Sequence, residues 1–249
     1  MTQMTLFDYE MAQANQAKYV RRITYEETKP FLLGIHYARR MPCITDAFGL
    51  FLDGRIAGCV TYGVPASRSL CVGLAGAENA DRVLELNRLV ISPEFSGGGS
   101  NRNLASYLVS HSLKMLPNGT FVVSYADTAW THVGYVYQAC NFLYTGLSAG
   151  HIDVHHADGR HSRHYDKQAQ NVFEQRSRKH RYVYLVGDRR TRKKMREQLR
   201  YPVLDHYPKG DERRYDTDNP QKAETTKIIA VTKRRFGEKG ADDEGDAKG

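Results

Sequence analysis

An α/β fold built on a mixed sheet is what the sequence predicts, and three observations carry that expectation. Phe48–Leu52 and Arg55–Tyr62 are apolar runs joined by Asp53-Gly54. That dipeptide suits a type I′ turn, which needs positive φ at both positions, so an antiparallel hairpin is expected. Residues 86–145 then read as strand, glycine loop, helix, strand, helix. Within them Phe121 to Ala126 is a mostly apolar run with β-branched residues, the pattern of a strand buried on both faces.

The remaining elements follow in order. Residues 1–16 are a polar, frayed lead-in, and Lys18 to Ile23 is a first strand. Thr24 and Glu27 have capping-box spacing, so a helix starts near Tyr25. Pro30 offers a second start, because proline is tolerated in a first helical turn. The helix is expected to reach about Arg39, with His36 and Tyr37 at its end and Pro42 beyond it. Residues 63–80, rich in Gly, Ala and Ser, read as a loop that can lie over the site. Leu84 to Ser92 is a strand that Pro93 ends. The helix after the glycines carries Leu104, Tyr107, Leu108 and Met115 on one face, and Pro117-Asn118-Gly119 stops it. A helix is expected from about Ala129 to Ala139, with Asn141 as its left-handed cap. Short strands follow at Leu143–Leu147, at Ile152–His156 and, after Asp158-Gly159, at about 161–166. Tyr182 to Val186 is a late strand, and Arg189 to Arg200 is a strongly basic helix with Glu197 as its one acid. Apolar content drops beyond Lys209, where disorder is expected apart from a short ordered stretch at Ile228–Val231.

Charge is uneven along the 249 residues. The total is +8, yet residues 1–159 carry 12 basic and 13 acidic residues, and residues 160–214 carry 17 and 7. A positive charge concentrated in one segment is the footprint of a polyanionic partner. The four cysteines form no C-x-x-C pair, no signal peptide is evident, and no run approaches the ~18 apolar residues of a membrane helix. A soluble, reducing, cytoplasmic setting is therefore expected, with no membrane partner.

Several residue groups are candidates for chemistry. Ser96, Gly97, Gly98, Gly99, Ser100, Asn101 and Arg102 lie between a strand and a helix. Glycines there let backbone amides approach a phosphate, with the helix N-terminus behind them; a plain flexible turn is the other reading. Tyr137 is either a core tyrosine or a general acid for a thiolate leaving group. Asp127, at the carboxyl end of a central strand, sits where open α/β sheets place ligands, and it equally suits an N-cap. His36-Tyr37 closes the first helix, where a histidine commonly answers the helix dipole. His151, His155, His156, His161 and His164 crowd one segment, with His151, Asp153 and His155 alternating as metal-capable groups or as a polar strand face. Arg176, Arg178, Lys179, Arg181, Arg189, Arg190, Arg192, Lys193, Lys194 and Arg196 are candidates for binding a phosphate backbone, because nearby acids do not balance them. Tyr182, Tyr184 and Tyr201 among them can pack or stack on a base.

The run Val136-Tyr137-Gln138-Ala139-Cys140-Asn141-Phe142 resembles the helix ending of GNAT acyltransferases, with Asn141 in place of the usual glycine. The loop Ser96–Arg102 resembles their pyrophosphate loop, although its glycines are contiguous. A closer resemblance, over roughly residues 30–205, is to the Mom family of phage DNA modification proteins. It rests on Ile35-His36-Tyr37-Ala38-Arg39-Arg40, Leu86-Asn87-Arg88-Leu89, Ser124-Tyr125-Ala126-Asp127 and the Tyr137 helix. The resemblance implies a GNAT-like catalytic domain over 17–170, a basic DNA-contacting extension over 171–208 and a disordered tail over 209–249. It implies conversion of the exocyclic amine of adenine in double-stranded DNA to a carbamoylmethyl (acetamido) derivative, which protects phage DNA from host restriction. It points to His36, Tyr37, Asp127 and Tyr137 as the catalytic set and to acetyl-CoA or a related acyl-CoA as the donor. An iron has been proposed for the family, and these residues assign it no ligands. Two other readings stay open: an ordinary N-acetyltransferase acting on a protein or small amine, and a non-catalytic DNA-binding protein.

Overall fold

The computed structural model describes residues 18–96, 103–155, 172–210 and 228–229. Their centre is a seven-stranded mixed sheet of β1 (Lys18–Arg22), β2 (Asp46–Leu52), β3 (Arg55–Gly63), β4 (Val83–Ile91), β5 (Phe121–Asp127), β6 (Leu143–Leu147) and β9 (Lys179–Leu185), in the order β1-β2-β3-β4-β5-β9-β6. All neighbours are antiparallel except β4 and β5. The hairpin forms as expected: Asp53 and Gly54 have φ of 48° and 77°, the signs that a type I′ turn needs.

Strand β5 alternates between two cores, as a strand buried on both faces must. Val122 and Ala126 face one cluster, which contains Tyr62, Phe142 and Tyr182 and receives Leu104, Leu108 and Leu113 of α3 (Leu104–Lys114). Phe121 and Val123 face the other, with Val183, Leu185, Leu74 of α2 (Arg68–Ala75) and Met195 of α5 (Arg189–Gln198). A third cluster seats Phe31 and Leu32 of α1 (Tyr25–Lys29, continued by Pro30–Ile35) against β1 to β4.

Four expectations need correction. The segment 63–80 is not a loop over the site. It contains α2, whose Cys71, Leu74 and Ala75 are buried, so a helical apolar spacing lay under a composition rich in small residues. The helix expected at 129–139 is broken. A 3₁₀ turn spans Thr128–Trp130, and α4 (Tyr135–Ala139) starts anew after Thr131 and Gly134, with φ of 57° and 80°. The first helix stops at Ile35, where His36 N–H donates to Phe31 O at 2.8 Å in a π-type turn. Finally, 171–208 is no extension appended to the sheet. Lys179–Leu185 forms β9, which pairs with β5 along its whole length and with β6 on its other side. Polar and basic residues at its start hid a strand that begins three residues before Tyr182.

After α5 the chain returns along the sheet as far as Gly210. Arg200 N–H donates to Leu74 O, Leu204 N–H to Tyr144 O, and Tyr207 Oη to Phe142 O. A second, smaller unit covers 149–177 and 225–249. In it β7 (His151–His155), β8 (Val172–Arg176) and β10 (Ile228–Ile229) form a three-stranded sheet in the order β10-β8-β7. The strand expected at 161–166 and most of the expected tail lie outside the described residues.

Candidate active site

The parallel pair β4 and β5 shares only three rungs, Val83↔Phe121, Leu84↔Val122 and Glu85↔Val123. Beyond Glu85 the two strands part, and the buried Ser124 hydroxyl donates to Leu86 O at 3.0 Å in place of a further ladder bond. A cavity of about 540 Å³ fills the gap. Its walls come from residues 85–89 of β4, Tyr125–Asp127 of β5, the start of β9 at Lys179, the His36-Tyr37 turn and the loop and helix at 132–137. His36, Tyr37, Asp127 and Tyr137 therefore line one cavity, although they are spread over 102 positions.

Each is placed by identifiable contacts. The π-type turn ends at His36, which is 8% exposed. Its Nδ1 accepts from the Ala38 N–H at 3.0 Å, so in the neutral ring the proton sits on Nε2. Burial, joined by the charges of Arg88 and His132, holds its pKa down at about 3. Tyr37 is 38% exposed, with its ring centroid 4.2 Å from His36 and 5.2 Å from Trp130. Asp127 does cap a turn: its Oδ1 accepts from Ala129 N–H at 3.0 Å. Its other oxygen, Oδ2, lies 3.4 Å from Lys179 Nζ. The cap and the pocket wall are compatible because a carboxylate has two oxygens.

Tyr137 rides on a short helix held from beneath. Its ring lies 5.4 Å from both Phe142 and Tyr182. The Tyr182 hydroxyl donates to Val133 O and accepts from Gln138 Nε2 at 3.1 Å. Gln138 also reaches Pro208 O, and Tyr135 Oη donates to Gly210 O at 2.6 Å, so the returning chain clamps this helix. Asn141 closes it at φ 58°, as the sequence predicts.

Sequence reasoning missed two wall residues, Glu85 and Arg88. On β3, Thr61 pairs with Arg88 and Tyr62 with Leu86, so Asn87 is the extra residue of a β-bulge. Bulges re-aim side chains. Asn87 ties the chain near His36 to the sheet: its Nδ2 donates to Cys43 O at 2.8 Å and its Oδ1 accepts from Thr61 Oγ1 at 2.6 Å. Arg88 turns to the cavity. Its Nη1 donates to Asn87 O at 2.6 Å, and its Nε, among the described residues, is buried without a hydrogen-bond partner. Such an atom is costly unless a ligand answers it. The Leu86-Asn87-Arg88-Leu89 run was the available signal, but neither the bulge nor the parting of the strands is visible in a local pattern.

The basic candidates separate by environment. Lys179 belongs to the cavity wall. The Arg181 guanidinium lies 3.5 Å from the Tyr201 ring centroid, and its Nε donates to Thr145 Oγ1 at 2.9 Å. Arg178 Nε donates to Ser148 O, and Arg176 is exposed at the end of β8. Arg189, Arg190, Arg192, Lys193, Lys194 and Arg196 are all exposed on α5, which Met195 anchors and Asp188 caps. Among the described residues none of these six pairs with a carboxylate.

The cofactor candidates Gly97 to Arg102 lie outside the described residues, whereas Ser96 ends a 3₁₀ turn at Pro93–Phe95. The described flanks fit a pyrophosphate-bearing CoA donor: β4 precedes residues 97–102, the eleven-residue α3 follows them, and Arg88 of the cavity wall has a buried Nε donor without a partner among the described residues. Among the described residues no three His, Cys, Asp or Glu side chains converge on a point; the side chains of His151, Asp153 and His155, and residues His156, His161 and His164, lie outside them.

A mixed sheet whose parallel strands part over a lined cavity defines the class, an α/β protein. Solved structures similar to it include the ribosomal-protein-S18-alanine N-acetyltransferase from Escherichia coli, at TM-score 0.40 and 10% identity, covering 69% of this chain and 95% of that one. An N-acetyltransferase from Staphylococcus aureus Mu50 is similar at TM-score 0.42 and 13% identity over 69% and 99% of the two chains. A GNAT family acetyltransferase from Elizabethkingia anophelis with acetyl-CoA bound gives 0.39 and 11% over 69% and 99%. Scores of this size carry no conclusion about chemistry. No curated protein matches the chain significantly. The chain belongs to the Mom protein family, whose model matches residues 17–209. That family is one of phage DNA modification proteins. Among the described residues no helix is long and apolar enough to cross a membrane.

Proposed function

We propose that the protein converts the exocyclic amine of adenine in double-stranded DNA to a carbamoylmethyl derivative, and so protects phage DNA from host restriction. One observation carries the reading: the cavity at the β4–β5 gap gathers His36, Tyr37, Asp127 and Tyr137 within a chain of the Mom family. The chemistry asks for such a set. Adenine's amine is a poor nucleophile because its lone pair is delocalised into the ring, and the base must leave the stack at a cost of a few kcal/mol. Tyr37, at the exposed edge of the cavity, stacks on the extruded base. Asp127 takes one proton from the amine as its nitrogen bonds to carbon, and Lys179 stabilises the carboxylate before that transfer. Tyr137 protonates the departing group. His36, neutral, contributes an Nε2–H donor.

A CoA-type carrier, held by Ser96–Arg102 and Arg88, would have to bring the whole carbamoylmethyl group bonded through its methylene carbon to sulfur, so that the C–N bond forms as the C–S bond breaks and Tyr137 protonates the thiolate released. Transfer of a plain acetyl group would leave an amide on the base, whereas the carbamoylmethyl product joins nitrogen to a methylene carbon. The exposed cations of α5 supply the phosphate contacts of the duplex.

Mass spectrometry of nucleosides from plasmid DNA of cells expressing the protein tests this. A deoxyadenosine pool carrying the added mass of a carbamoylmethyl group is expected. An unmodified pool sinks the proposal, and acetylated protein or amine beside unmodified DNA would favour an ordinary N-acetyltransferase.

A further inference from the structure

Two carboxylates line the cavity, and the scheme above employs only Asp127. The other, Glu85, stands on the last rung that β4 shares with β5, where the gap begins. Two cations flank it, Arg88 further along its own strand and Lys179 at the start of β9, yet neither touches it. Lys179 is turned to Asp127 at 3.4 Å, and Arg88 to the Asn87 carbonyl. Tyr125 of β5 and Cys71 of α2 face it as uncharged groups, burial pushing both the phenol and the thiol up. Among the described residues no hydrogen bond or ion pair holds the Glu85 carboxyl. A partly buried carboxylate that two cations leave unpaired is an unstable arrangement, whereas a neutral acid is not. The energetics agree: burial raises the pKa of Glu85 against the downward pull of Lys179 and Arg88.

We propose that the Glu85 carboxyl grips the edge of the extruded adenine, its carbonyl oxygen accepting one proton of the exocyclic amine and its O–H donating to the adjacent ring nitrogen. A carboxylic acid presents a donor and an acceptor side by side. Adenine presents the complement, an amine proton beside an unprotonated ring nitrogen. The grip uses one of the two amine protons and leaves the other for Asp127. No bond forms or breaks at Glu85, so it is a positioning and specificity residue.

The inference rests on the adenine reading, and the experiment separates the two. Wild type, Glu85→Gln and Glu85→Ala are purified, and modified deoxyadenosine is measured on a fixed duplex across pH 6–9. A glutamine amide also offers a donor beside an acceptor. Glu85→Gln should therefore retain modification within a few fold, while Glu85→Ala loses about 10- to 100-fold, the worth of one bidentate base contact. Modification that needs the protonated Glu85 carboxyl weakens as pH rises, and Glu85→Gln should show no such weakening. Glu85→Gln falling as far as Glu85→Ala would make Glu85 a base and overturn the proposal, as would Glu85→Ala matching wild type. Should Glu85→Ala fail to fold, Glu85→Gln and its pH profile decide alone. Absence of modified deoxyadenosine with wild type would instead count against the adenine reading itself.

Discussion

Asp127 does two things with two oxygens, and they can be pulled apart by substitution. Its Oδ1 holds the Ala129 N–H and its Oδ2 faces Lys179. Asn caps about as well as Asp but cannot take a proton. Asp127→Asn should therefore fold with stability within ~1 kcal/mol of wild type and slow adenine modification on the order of 10²–10⁴-fold. Nucleoside mass spectrometry and urea unfolding on the same preparation check both halves. His36 makes a pH prediction. Its folded pKa of about 3 lies below the ordinary value of 6.5. Between these values the unfolded chain binds the extra proton, so stability falls as pH drops through this window. Wild type should lose about 2–3 kcal/mol more than His36→Asn between pH 6.5 and 4.5. Equal losses in urea titrations at the two pH values would mean that the ring is charged when folded.

At the scale of elements, the pocket helix is the informative case. Gly134 begins α4 at φ 80°, and a Cβ there would meet Tyr182 Cε2 at 2.6 Å and Tyr137 Cδ2 at 3.0 Å. Gly134→Ala should cost about 1–3 kcal/mol through backbone strain and crowding, and it should also slow modification because the ring displaced is Tyr137. Thermal unfolding combined with nucleoside analysis reads both effects. Unchanged activity in a destabilised variant would remove Tyr137 from the mechanism. The same helix marks where sequence reading works and where it stops. Asp53-Gly54 and Asn141 were legible because turn chemistry is local, and both adopt the expected left-handed backbone. The break at Thr131–Gly134 was not, since an apolar-spaced run from Ala129 to Ala139 hides a turn that Tyr182, 49 positions away from Val133, ties down. Glu85 and Arg88 escaped for a like reason. They owe their position to a bulge and to two strands parting, which depend on partners remote in sequence.

For the whole molecule, the positive segment that reads as one block divides into two physical populations. Arg181 is spent internally, on the Tyr201 ring and on Thr145, while Arg189, Arg190, Lys193 and Lys194 stand exposed on a helix held by one buried methionine. The two should answer different measurements. Replacing the four helix cations with Gln should leave unfolding almost unchanged, because exposed charges contribute little to stability. It should lower the magnitude of the slope of log Kobs against log salt by about 3–4, at roughly 0.9 for each duplex phosphate no longer neutralised. Arg181→Gln should do the reverse, costing about 1–3 kcal/mol by removing the stacking and the hydrogen bonds and leaving the salt slope nearly untouched. An unaltered slope in the fourfold variant would turn α5 away from the duplex. The phosphate contacts would then have to come from elsewhere, with Arg178 the next to test by the same titration.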